Sequence, residues 1–113
     1  MNAWKALRIA VIGLGVRVIG GLTNVAVMQA NGGFMPVFRP SCGGFYSGMQ
    51  IDFEHVCGSG STRLLMLTDW IHVISFTMSI GDALIVGGEL VVLSMAGFII
   101  ASALKNLWRK LRS

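Results

Sequence analysis

Charge is scarce in this chain: 12% of its 113 residues are Asp, Glu, Lys or Arg, while 54% are hydrophobic. A water-soluble surface of this size ordinarily needs more. Histidine is scarcer still, and neither His55 nor His72 falls in a long apolar run, which argues against haem or chlorophyll ligation inside a bilayer. Cysteine is limited to Cys42 and Cys57, and their spacing matches no standard zinc pattern. No internal repeat or low-complexity tract is visible. What the chain does have is two long apolar stretches, Leu7–Ala30 and Ile80–Leu104. At about 1.5 Å per helical residue, each can cross a hydrocarbon core of about 30 Å. Two spans and one Gly-rich connection leave no room for a second domain, so residues 1–113 read as a single membrane unit.

The net charge of +4 is unevenly placed. Lys5 and Arg8 stand at the start of the first stretch, and Lys105, Arg109, Lys110 and Arg112 follow the second. The connection carries only Arg39 and Arg63, against Asp52, Glu54 and Asp69. Basic flanks mark the cytoplasmic side, so both termini are expected in the cytoplasm and the loop outside. Trp4 and Trp108 sit where interfacial anchors are expected. The basic tail suits anionic lipid head groups, and no nucleic-acid partner is expected from such a footprint. Lys5 and Arg8 before an apolar run resemble a signal peptide, but Arg17 interrupts the run and no small-x-small cleavage site follows. An uncleaved first helix is expected.

Along the chain, 7–30 is expected as transmembrane helix 1, ended by Asn31-Gly32-Gly33, whose residues accept left-handed backbone angles. Met35-Pro36-Val37 continues extended, and 31–63 reads as an irregular Gly-rich outer loop. In 64–79, the polar residues Thr68, Asp69, His72, Ser75 and Ser79 recur at helical spacing. That segment is too short for comfortable crossing and reads as an amphipathic helix in the outer interface, anchored by Trp70. Transmembrane helix 2 covers 80–104, opened by the capping-box spacing Ser79…Asp82, and 105–113 is a basic cytoplasmic tail. The fold class expected is an all-α integral membrane protein: a two-helix hairpin, a Gly-rich outer loop and a short interfacial helix.

Four of the polar residues inside the apolar stretches stand at matching depths. Arg17 and Asn24 are seven apart and share a helix face, as do Asp82 and Glu89. Facing residues of an antiparallel pair have a constant position sum, and one register pairs Arg17 with Glu89 and Asn24 with Asp82. Gly13, Gly20, Gly81 and Gly88 lie beside these residues and let the backbones approach. A lone midplane charge costs about 2.5–3.5 kcal/mol, so each needs a partner. The structural reading, a polar clamp fixing the register, is preferred to a proton or ion path.

Other motifs carry less. Gly13-Leu14-Gly15-Val16-Arg17-Val18 imitates a dinucleotide-binding turn, but the third glycine, the later acid and a βαβ unit are missing. Cys42 and Cys57 are best read as a disulfide on an oxidising side; free thiols, or a metal set with His55, remain open. Asp69, His72 and Ser75 offer an enzyme only proximity in sequence. No catalytic or metal-ligating residue is assigned, and no cofactor is indicated.

Asn31-Gly32-Gly33-Phe34-Met35-Pro36-Val37, then His55, Thr62-Arg63-Leu64, Leu67-Thr68-Asp69-Trp70-Ile71 and Ser79-Ile80-Gly81-Asp82 together resemble an uncharacterised family of bacterial integral membrane proteins. The resemblance spans about residues 18–95 and implies a bacterial cytoplasmic membrane. Family members carry additional N-terminal helices, so this chain resembles their C-terminal half. It implies topology and a set of positions, but no activity. The expected function is that of a small non-enzymatic membrane subunit, surrounded by lipid, that packs against other subunits of a larger complex such as an energy-transducing one. The alternative is an oligomeric ion, proton or solute transport module using Arg17, Asp82 and Glu89. An enzyme built on His55 and Asp69 ranks last.

Overall fold

Asn2 opens the first helix, its side chain accepting the Lys5 N–H at 2.8 Å, a standard N-cap bond. In the computed structural model, which describes residues 1–113, helix α1 covers Ala3–Ala30. It ends where Gly32 and Gly33 take φ of 72° and 93°, and the Gly33 N–H reaches back to the Met28 carbonyl at 2.7 Å. A side chain at these angles would be strained, so glycine sets the stop.

Residues 31–79 form a cap rather than an irregular loop. Strand β1, Met35–Val37, pairs in parallel with β2, His55–Cys57, and β3, Ile71–Val73, pairs antiparallel with β4, Phe76–Met78. Single 3₁₀ turns cover Pro40–Cys42, Gly44–Tyr46 and Leu65–Leu67. Asp69 links the two sheets: its N–H donates to the Pro36 carbonyl at 3.0 Å, and its carbonyl accepts from Phe38 N at 2.7 Å. Met35, Pro36, Val37, Cys42, Cys57, Thr68 and Asp69 are the buried centre of this cap.

The expected interfacial helix over 64–79 is therefore corrected: the segment is a 3₁₀ turn followed by a β-hairpin. Ile71, Val73, Phe76 and Thr77 are β-branched or aromatic and favour strands. The Asp69 backbone is also taken by cross-strand bonds to Pro36 and Phe38, so it cannot serve a helix. The all-α class is corrected with it, because strands and a disulfide lie between the helices.

Helix α2 covers Ile80–Arg112 and starts on a complete capping box between Ser79 and Asp82. It continues through the segment expected as a separate tail, 105–113. Lys105–Arg112 contains no Gly or Pro, and its three basic residues in the last turn suit the negative end of the helix dipole. Both helices are long and apolar enough to cross a membrane.

The helices run antiparallel along a seam of small residues. The buried residues of α1 are Ala6, Gly13, Gly20 and Val27, seven apart, and those of α2 are Gly81 and Gly88, also seven apart. A seven-residue repeat keeps one stripe of each helix facing its partner. Contact is backbone to backbone: a Cβ added to Gly20 would lie 2.5 Å from the Gly81 carbonyl, and one on Gly88 2.5 Å from the Gly13 carbonyl. The large apolar side chains point away, with Ile12, Leu22, Leu90 and Ile100 each at least 60% exposed.

Candidate functional site

Two groups of polar residues lie on or just above the seam. In the middle of α1, the Arg17 guanidinium Nε is 2.6 Å from Glu89 Oε2. The absence of a side chain at Gly88 lets these residues approach, since a Cβ there would meet Arg17 N at 2.7 Å. The pair is not enclosed: the side chains are 49% and 45% exposed.

Seven residues nearer the cap, Asn24 closes the hairpin. Its amide Nδ2 donates to Asp82 Oδ1 at 2.8 Å, and its Oδ1 accepts from Ser79 Oγ at 2.8 Å. Asp82 Oδ2 accepts the Ser79 N–H at 3.1 Å, and the Asp82 N–H donates to Ser79 Oγ at 3.0 Å. The helix cap and the interhelical clamp are thus one network. The structure brings together Arg17 with Glu89 and Asn24 with Asp82, as their spacing requires of a single register.

Above the clamp sits a cluster that sequence reasoning named only in part, as the His55 and Asp69 of its last-ranked enzyme reading, without Asp52 or the approach to Asp82. Asp69 is 3% exposed, and its carboxyl lies beside that of Asp82. His55 stands between Asp69 and Asp52: its Nε2 is 3.6 Å from Asp69 Oδ2, and its Nδ1 is 2.9 Å from Asp52 Oδ1. The two carboxyls are tuned in opposite directions. The Glu54 N–H and then the His55 ring hold the exposed Asp52 below the usual carboxylate range. Burial, and then the Asp82 charge, push Asp69 up to about 6, with His55 opposing them. A cavity of about 200 Å³ borders the cluster, lined in part by Arg39, Asp52, His55, Asp69, Ser75 and Thr77.

His72, three residues from Asp69, is instead 3.4 Å from Thr77 Oγ1, its partner across the β-hairpin. A helical reading of 64–79 pairs Asp69 with the wrong histidine. The signal that could have found the right one was the joint appearance of His55 and the Leu67-Thr68-Asp69-Trp70 motif.

Cys42 and Cys57 form a disulfide, which ties the first 3₁₀ turn to the end of β2. With both sulfurs bonded to each other, the alternative metal set with His55 is not formed, and no group of three or more His, Cys, Asp or Glu residues is placed to hold a metal ion. Asn31 accepts the Arg63 N–H at 2.8 Å and donates to the Arg63 carbonyl at 2.9 Å, fastening the cap to the end of α1. Gly32 and Gly33 make the turn, while Met35 and Pro36 are core. The motifs Asn31–Val37, Thr62–Leu64, Leu67–Ile71 and Ser79–Asp82, far apart in sequence, meet at this junction.

Residues 4–94 match a family of unknown function, DUF5317. The chain belongs to that family. The match takes in nearly all of α1, the whole cap and the first half of α2, so every polar contact of the seam and the cap described above lies within the DUF5317 region. No curated protein and no solved structure matches the chain.

Proposed function

We propose that this DUF5317 protein is a small non-enzymatic membrane subunit whose hairpin packs against other membrane helices in a larger complex. The observation that carries the proposal is the half-exposed Arg17–Glu89 pair in the middle of an otherwise apolar surface. Facing lipid alone, that pair would leave polar atoms in hydrocarbon at a cost of several kcal/mol. A neighbouring helix that covers it removes the cost. The exposed cap residues Phe45, Phe53 and Ile74, at 89%, 97% and 98%, support a partner above the membrane as well, because such apolar tips are poorly placed in water.

The orientation we infer has both termini in the cytoplasm of a bacterium and the cap outside. Two independent features support it. Lys and Arg concentrate at the end opposite the cap, and the disulfide lies in the cap, where an oxidising compartment would keep it.

The polar series Asp52, His55, Asp69, Asp82 and Asn24, leading towards Arg17 and Glu89, favours a second reading: a proton or ion module in an oligomer. Extraction of the full chain in mild detergent and identification of what copurifies separates the two. Stoichiometric heterologous membrane proteins support the subunit reading. A homo-oligomer with proton or ion flux in vesicles would replace it with the transport reading.

A further inference from the structure

The junction between cap and helices contains two neighbouring carboxyls with unequal numbers of donors. Asp82 is well supplied, accepting from Asn24 Nδ2 and from Ser79 N. Asp69 is not. Its Oδ1 is buried with no hydrogen-bond partner, and its Oδ2 is 3.6 Å from His55 Nε2, too long for a good hydrogen bond. An orphaned buried carboxylate oxygen beside a second carboxylate is costly, and such pairs ordinarily retain one proton between them. A proton on Asp69 supplies the missing donor, because its O–H can then donate to the Asp82 carboxylate.

We propose that this junction is a proton-binding site, in which Asp69 holds one exchangeable proton against Asp82 and His55 passes it to and from water in the neighbouring cavity. The geometry assigns the roles. With its Nδ1–H donating to Asp52, neutral His55 presents the Nε2 lone pair to Asp69. On release, the Asp69 O–H bond breaks and, through one cavity water that bridges the 3.6 Å gap, a proton forms an N–H bond at Nε2. The resulting imidazolium lies between two carboxylates until it gives a proton to cavity water. Loading is the reverse, and no other reactant is needed.

The groups facing Asp69 are Asp82 from α2, His55 from β2 and, on the cavity wall, Asp52 and Arg39. Asp82 favours the protonated form, and His55 opposes it. When the proton leaves, two like charges oppose each other across the joint, so seating of the cap on α2 depends on proton occupancy. This inference does not rest on the subunit reading.

Infrared spectroscopy of the purified full chain, with aspartate carboxyls labelled with carbon-13, tests it. The chain has only three aspartates, Asp52, Asp69 and Asp82. The expected result is a label-shifted carboxylic-acid C=O band present at about pH 5 and lost by about pH 8. Its midpoint should lie near the value of about 6 read for Asp69. Asp69→Asn should abolish the band, and Asp52→Asn should keep it. His55→Gln, which removes the ring that opposes protonation of Asp69, should move the midpoint upward. Absence of an aspartate band across that range overturns the proposal, as does a band that survives in Asp69→Asn. If Asp69→Asn does not fold, the labelled wild type and Asp52→Asn still decide: loss of the band in Asp52→Asn assigns the proton elsewhere and refutes the site.

Discussion

Asn24 occupies the space that a side chain at position 81 would need: a Cβ built on Gly81 would collide with the Asn24 amide oxygen. The same amide bonds both Ser79 and Asp82, so close approach at a glycine and a polar clamp are one device. Glycine contributes here by what it leaves empty, in a setting where apolar burial between the helices is small.

Gly88 and its neighbour Gly87 make this testable. A Cβ at 88 meets Gly13 and Arg17 backbone atoms, whereas position 87 has nothing within 4 Å. Gly88→Ala is expected to destabilise the hairpin by about 1–3 kcal/mol. Gly87→Ala should be neutral or stabilising by up to about 1 kcal/mol, from helix propensity. Thermal unfolding of the two variants in the same detergent measures the difference, and equal midpoints would refute a backbone-contact seam.

Glu89→Gln leaves Arg17 without its anion. The expected loss of hairpin or complex stability is about 1–3 kcal/mol. Exchanging the two, with Arg17→Glu and Glu89→Arg together, should recover part of it, incompletely because the side chains differ in length. Under the transport reading, Glu89→Gln instead leaves assembly intact and abolishes flux. Copurification and vesicle flux on one variant therefore discriminate.

Gly48 lies in the cap and Ser113 at the far end of α2. Gly48→Cys should react with an impermeant thiol reagent on intact cells, and Ser113→Cys should react only after permeabilisation. Labelling of position 113 from outside would defeat the proposed orientation.

The disulfide closes a sequence separation of 15 residues, for which loop-closure entropy suggests about 3 kcal/mol. Cys42→Ser with Cys57→Ser should lower cap stability by roughly 2–4 kcal/mol, read as faster proteolysis within 38–60. Unchanged proteolysis would mean that the strands hold the cap without the bond.

Asp69 also sets a pH dependence of stability. The folded chain holds this proton up to about pH 6, while the ordinary carboxyl releases it at 3.8. The native state binds more protons across that window, so the Asp69 contribution is fully favourable below 3.8, falls as pH rises through about 6, and is flat above. Asp52, held low, acts oppositely: its contribution is present above 3.8 and is lost on further acidification. Unfolding midpoints measured across this range should decline for wild type and flatten in Asp69→Asn. A wild-type profile that rises from about pH 4 to about pH 6 would contradict the assignment.

Much of the helical part was readable residue by residue. Length and apolarity mark α1 and α2, because a helix advances by a fixed rise. Asn31-Gly32-Gly33 and Ser79…Asp82 mark their ends, because capping is chemistry within one turn. The seven-residue spacings of Arg17 to Asn24 and Asp82 to Glu89 assign a register, because an antiparallel pair has one arithmetic. The cap was less readable. Asp69 lies three residues from His72, and Thr68, Ser75 and Ser79 fall at helical intervals, so the local period suggests a helix where the chain forms strands. What decides against it is non-local: Pro36 and Phe38, some thirty positions away in sequence, take the Asp69 backbone hydrogen bonds. The same contacts carry Asp69 to Asp82 and to His55. Periodicity reports which residues share a face, but a buried acid beside a second carboxyl arises only when separate segments are packed together, and that meeting exists in the tertiary structure alone.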